Sequence, residues 1–175
     1  MLFEIFNWGD FMKLIPLWQA DLAAAYALHN TFPAQENGFE NAAWGLDFDG
    51  FCAYVERRRN WNQGIGLPEG FVPDTVFILE DAGRYVGIFN LRHRLNESLA
   101  NGAGHIGYGI SPAFRRQGYA TAGLALVLNE ARAIGIQETY LSVNQDNVGS
   151  LKAQLANGAK IHHQNEQKYF TRISL

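Results

Sequence analysis

The sequence holds a single cysteine, Cys52. One thiol excludes an internal disulfide and a zinc site built from cysteines. Positive charge is also scarce: 14 Lys and Arg stand against 17 Asp and Glu, for a formal net charge of −3. A surface of that sign does not neutralise many phosphates, so a general nucleic-acid binder or an anionic-membrane binder is disfavoured. The longest unbroken apolar run is seven residues, Leu22 to Leu28. A membrane-spanning helix needs roughly 18 or more. The start, MLFEIFNWGD, has acids at Glu4 and Asp10 and no basic stretch ahead of an apolar one. No secretory signal is expected there, and a cytoplasmic location is. No Gly-Lys-Ser/Thr loop is present, which excludes a Walker A site. Gly107 and Gly109 are followed by Pro112 where a dinucleotide fingerprint needs its third glycine. No Gly-x-Ser-x-Gly elbow occurs, against an α/β-hydrolase. His162-His163 reads as a surface pair, so no metal is expected.

What is present is a chain of 175 residues, 47% of them hydrophobic. That suits one ordered domain spanning 1–175, with no repeat or linker to divide it. Residues 1–11 are aromatic-rich and read as irregular. Met12 to Ile15 reads as a short strand and Leu17 to Thr31 as a helix. Residues 33–46 read as a loop. A second helix, capped by Asp47 or Asp49, runs to about Arg59. Asn60 to Asp74 reads as a long loop. Strands follow at Thr75 to Glu80 and Tyr85 to Leu95, joined by the turn Asp81-Ala82-Gly83-Arg84. In the second of these, Phe89, Leu91 and Leu95 face one way, and Asn90, Arg92 and Arg94 the other. The Asn90, Arg92, Arg94 row suits either an acidic acceptor or solvent. His105 to Ile110 reads as a strand bearing glycines. Gly118 to Ala133 is an amphipathic helix. Glu138 to Asn144 is a strand, a helix capped by Asp146 or Asn147 follows, and Gln167 to Leu175 is a final strand. Hairpins first and a strand–helix–strand crossover after them predict an α+β fold. Its sheet should be mixed and mostly antiparallel, parallel only across the helix at 118–133.

The chemistry concentrates in His105 to Thr121, HIGYGISPAFRRQGYAT. The stretch runs strand, short loop, helix. Amides at a helix start lack intrahelical partners, and the dipole makes that end positive. Gly118 lets a ligand approach the backbone, and Arg115 and Arg116 add charge suited to phosphate oxygens. Together they predict a cradle for a diphosphate.

The segment GYGISPAFRRQGYATAGLALVL resembles the central motif of the GCN5-related N-acetyltransferases, Arg/Gln-x-x-Gly-x-Gly/Ala after a bulged strand. Asn147-Val148-Gly149-Ser150 followed by Asn157-Gly158 is similar to that family's Asn-x-x-Ala/Ser…Gly signature. LRHRLN and HIGYGI resemble a bacterial subgroup of acetyltransferases. The resemblance covers Thr75 to Leu175 well and Met12 to Asn60 loosely. It implies an acyl-CoA N-acyltransferase fold with acetyl-CoA as co-substrate, held in a V-shaped opening between the strands at 105–110 and 138–144. The implied CoA-binding residues are Gly109 and Ile110 on the strand and Arg115, Arg116, Gln117, Gly118, Tyr119, Ala120 and Thr121 around the turn. Asn144, Asn147 and Ser150 are implied on the opposite side. The implied reaction is direct attack by the amine of a small molecule or protein on the thioester. Many members carry a tyrosine acid seven residues after the motif asparagine, where this chain has Gln154. Tyr108 or Tyr119 then stand as alternative acids. His105 occupies a position where members often carry a glutamate base, and a histidine there suits either a base or a structural role. Gln154 also leaves open a non-catalytic acyl-CoA sensor of the same fold. A homodimer through the C-terminal strand is a further expectation.

Overall fold

A computed structural model of the chain describes residues 12–175. The irregular segment expected over 1–11 lies outside the described residues. The first half contains β1 (Met12–Pro16), α1 (Leu22–His29), β2 (Gln35–Glu36), β3 (Phe39–Glu40) and α2 (Phe48–Asn62). The second half contains β4 (Asp74–Asp81), β5 (Arg84–Arg92), α3 (Glu97–Ala100) and β6 (Ile106–Ile110). It continues with α4 (Tyr119–Ala133), β7 (Glu138–Asn144), α5 (Val148–Ala156), β8 (Lys160–Gln164) and β9 (Lys168–Ser174).

Side-chain caps fix the helix starts. The helix expected from Leu17 breaks, because the Asp21 carboxylate accepts from Ala24 N at 2.8 Å and starts α1 afresh. Asp47 does the same for α2 through Gly50 N, and Asn147 for α5 through Ser150 N. α2 runs to Asn62, shortening the loop expected from Asn60.

The strands form a four-stranded sheet, β1-β4-β5-β6, and a three-stranded sheet, β7-β9-β8, alongside the small β2–β3 hairpin. Every ladder among the described residues is antiparallel. The parallel ladder expected across α4 does not form. β6 and β7 instead touch at one antiparallel bridge, Gly104 to Leu141, supported by His105 N donating to Tyr140 O. Gly104 permits this contact: its φ is +70°, and a Cβ there would lie 2.1 Å from Tyr140 O. Past the bridge the strands part, and the sheet is open at this seam. The two edges of β9 are both occupied, by β7 and β8, so the C-terminal strand has no edge free for a second copy.

The two faces of the β4–β5–β6 sheet carry separate cores. Phe77, Leu79, Phe89, Leu91 and Ile106 pack against Leu124, Val127, Leu128 and Ala131 of α4. On the other face, Val76, Ile78 and Ile88 pack against Leu28 of α1 and Phe51, Tyr54 and Val55 of α2. That second face turns polar toward one end: Asp74 pairs with Arg92 in register, Val76 with Asn90, and Asn90 with Gly107.

Candidate acyl-transfer site

β6 ends at Ser111-Pro112, which starts a short 3-10 turn, Pro112–Phe114. The chain then enters α4 through two left-handed residues, Arg116 at φ 63° and Gly118 at φ 86°. Gly118 occupies the N-cap without offering a side chain to the helix. The backbone N–H groups of Gln117, Gly118, Ala120 and Thr121 consequently find no hydrogen-bond acceptor among the described residues. Arg115 braces the turn, its Nε donating to Ile110 O at 3.0 Å and its guanidinium forking onto the Glu36 carboxylate. Four amides without partners among the described residues, at the positive end of a helix, are suited to an anion.

This turn lines a cleft of about 840 Å³ that occupies the open seam between β6 and β7. Of the residues expected in the site, Tyr108, Gly109, Ile110, Arg115, Arg116, Gly118, Tyr119, Ala120 and Thr121 line one side. Asn144, Asn147 and Ser150 line the other. Gln117 and His105 are not among the lining residues. Gln117 turns its amide back to Ala113 O at 3.2 Å. The Asn147 side chain is engaged at both ends, its Oδ1 accepting from Ser150 N and its Nδ2 donating to Asn37 O at 3.3 Å.

His105 is buried where β6 meets β7. Its Nδ1 accepts from Tyr140 N at 3.0 Å, which leaves the ring proton on Nε2. Burial, with Arg92 and Arg172 nearby, lowers its pKa to about 4. His29, whose Nδ1 meets Ala25 O at 2.8 Å, is also lowered by burial to about 4. Both rings are thus neutral in the folded chain, whereas each titrates near 6.5 when unfolded. As pH falls from about 6.5 toward 4 the unfolded chain takes up protons that the folded chain refuses. Stability is therefore full above that window and is lost on descending through it. Thermal denaturation should show the melting midpoint falling across this range, with a shallower fall for His105→Gln. An equal fall in both proteins would contradict the assignment.

Tyr108 reaches from β6 across the seam. Its hydroxyl lies 2.7 Å from Ser150 Oγ on α5, and its ring stacks on Phe89 at 5.2 Å. Burial raises its pKa above the ordinary 10.0 while Ser150 and Gln154 oppose the rise. Gln154 is itself buried, with Oε1 accepting from Thr171 Oγ1 at 2.7 Å. Tyr119 donates to Asp81 Oδ2 at 2.7 Å.

The β2–β3 hairpin, which no motif in the sequence marks as part of a site, also lines the seam cleft through Glu36, Asn37, Gly38 and Phe39. Asn37 and Gly38 form its left-handed turn, at φ 50° and 84°. The pair Asn-Gly is the sequence signal for such a turn, but each strand is only two residues long. Glu36 holds Arg115, Asn37 O holds Asn147, and Phe39 packs on Phe32 at 5.2 Å above Gly109. Beyond the hairpin lies a second cleft of about 620 Å³ over the polar end of the sheet. Gly38, Phe39 and Lys168 border both clefts. Among the described residues no cluster of three or more His, Cys, Asp or Glu could hold a metal ion, and no helix is long and apolar enough to cross a membrane.

An α+β chain whose antiparallel sheet opens beside the amide-rich start of a helix has the architecture of the acyl-CoA N-acetyltransferases. The microcin C7 self-immunity acetyltransferase MccE, solved with acetyl-CoA and AMP, matches with a TM-score of 0.70 at 14% identity, over 95% of this chain and 94% of that one. The ribosomal L7/L12 α-N-protein acetyltransferase RimL, in complex with coenzyme A, matches at 0.67 and 16% identity, over 98% of each chain. The Campylobacter jejuni N-acetyltransferase PseH with acetyl-CoA matches at 0.64 and 11% identity, over 93% of this chain and 98% of that one. No curated protein matches the chain by sequence. Residues 12–160 match the family model of the acetyltransferase (GNAT) domain, and the chain belongs to the GNAT acetyltransferase family.

Proposed function

We propose that this protein transfers the acetyl group of acetyl-CoA to a primary amine, by direct attack with both substrates bound. One observation carries the reading: the amide N–H groups of Gly118, Ala120 and Thr121, with no acceptor among the described residues, line the seam cleft where the left-handed turn enters α4. That row suits the diphosphate of coenzyme A, and a cleft of about 840 Å³ has room for its pantetheine arm. Acetyl-CoA supplies an activated acyl thioester, whose acetyl group passes to a neutral amine while the thiolate departs.

The chain's own residues then have distinct duties. The amides of Gly118, Ala120 and Thr121, with Arg116, hold the diphosphate. The separated edge of β6 at Gly109 and Ile110 pairs with the pantetheine amides. Tyr108 protonates the departing sulfur. Its hydroxyl, delivered from β6 to the side of Ser150 and near Gln154, takes the duty that the family pattern gives to a tyrosine at helix position 154. With its pKa raised it stays protonated throughout the neutral range. His105 joins β6 to β7 and is not the base: Nδ1 is occupied by Tyr140 N, and the ring lies outside both clefts. The amine loses its proton to water. The setting is the cytoplasm.

Calorimetric titration with acetyl-CoA, followed by thiol release against an amine panel, tests this reading. Binding with turnover is expected. Binding without turnover on any amine would make the protein a sensor, and absence of binding would remove the assignment. Tyr108→Phe should lower kcat about tenfold, below the usual span for a general acid because a thiolate leaves readily. The KM for acetyl-CoA should hardly move. An unchanged kcat would take Tyr108 out of the reaction.

A further inference from the structure

We infer that the second cleft selects an amine that also carries a negative group, a carboxylate or a phosphate, and that Arg92 reads that group. The inference rests on the N-acetyltransferase reading above and names the kind of acceptor it uses.

The cleft is placed for an acceptor. It lies over the far face of β6 from Tyr108 and meets the seam cleft at Gly38 and Phe39. Its floor opens at Gly107, where a Cβ would meet no atom within 4 Å. Asn90 lies opposite Gly107 in register, with Arg92 two residues further along the same face. Trp61 and Phe71, with ring centroids 5.4 Å apart, supply an apolar wall.

Its charge is the informative feature. Arg58 and Asp74 are both buried and neutralise each other. Arg57, Arg92 and Lys168 also line the cleft, and none of them makes a salt bridge among the described residues. Glu40 is the one remaining carboxylate in the lining. A local excess of positive charge thus faces this cavity in a chain whose net charge is −3. Of these three cations Arg57 is exposed, while Arg92 and Lys168 are half-buried. Arg92 gives one side-chain hydrogen bond among the described residues, from Nη1 to Gly104 O at 3.1 Å, which leaves most of a guanidinium's five donors without an acceptor among them. Burial lowers its pKa, and the nearby carboxylates of Asp74 and Glu40, neither in a salt bridge with it, offset that only in part. A carboxylate or phosphate supplies a counter-ion and matches the planar fork. The same field acts on the amine. Beside Arg92 and Lys168 an ammonium is disfavoured relative to the neutral amine, so the charges that hold the anionic end ease proton loss at the other.

The test compares acceptors that differ in the anion alone. The protein amino acids are paired with their amides, and phosphoethanolamine with ethanolamine. Rates are measured by thiol release from acetyl-CoA and corrected for the fraction of neutral amine. At least one anionic acceptor should exceed its neutral twin by about tenfold or more in kcat/KM. Whichever series responds tells carboxylate from phosphate. Arg92→Gln should erase the preference while acetyl-CoA affinity by calorimetry stays within about twofold, since the diphosphate cradle is remote from it. Arg57→Gln, at an exposed position, should reduce the preference without any risk to folding. Titration of N-acetylated amino acids and N-acetylphosphoethanolamine into the CoA-loaded protein reads binding directly, independent of turnover. Equal rates within every pair, no binding of any anionic product, or an unchanged preference in Arg92→Gln would overturn the inference. Loss of acetyl-CoA binding in the wild type would instead remove the transferase reading beneath it.

Discussion

Asp74→Ala should lower the stability of the folded chain by about 3–5 kcal/mol, enough to consume a large share of a domain of this size. The Asp74 carboxylate meets Arg58 Nη2, and both side chains are about nine-tenths buried, at 9% relative exposure each. Arg58 lies on α2 and Asp74 opens β4, so the pair fastens that helix to the sheet. Removing the acid leaves a guanidinium away from water, held by little more than the rings of Trp61 and Tyr54 at 5.2 and 6.0 Å. The attraction within the intact pair does not explain so large a loss; the stranded charge does. Urea unfolding followed by circular dichroism measures it. Arg58→Met with Asp74→Leu should recover most of the loss, because neither charge then needs a partner. A single variant as stable as the parent would mean that water reaches the pair.

Gly118→Val should weaken acetyl-CoA binding by roughly 10²- to 10³-fold, the worth of two or three charge-assisted hydrogen bonds. At φ 86° the backbone sits where a β-branched residue is strained. Relief of that strain should swing the amides of the turn out of line, and the new side chain would crowd the place proposed for the diphosphate. Gly118→Ala should lie between the two. Calorimetry reads the affinity, and an unchanged far-UV spectrum confirms that α4 survives. Equal affinity in the valine variant would show that these amides do not hold the ligand.

Much of this was legible in the sequence because it is local. The stripe Leu124, Val127, Leu128 and Ala131 gave α4, and the turn chemistry of Arg116 to Gly118 sits at its start. Asn147 announced α5 by its capping pattern. What escaped was decided at a distance. β8 is exposed along its whole length, so KIHHQ carries no alternation to read. It is a strand because β9 offers it an edge. The hairpin at 35–40 has strands too short for any period. The seam between β6 and β7 depends on a contact from Gly104 to Tyr140 and Leu141, which no window of residues contains. His105 shows the same gap at one residue. Its imidazole is chemically fit for proton transfer, yet an amide 35 positions later occupies its lone pair.

The hairpin around Asn37-Gly38 is a party wall between two rooms, tied to one by Glu36 and Asn37 and facing the other with Glu40. The furnishings of the second room belong largely to residues 29–107, and those of the first to residues 106–156. A lineage can refit the one for a new visitor and leave the other as it stands.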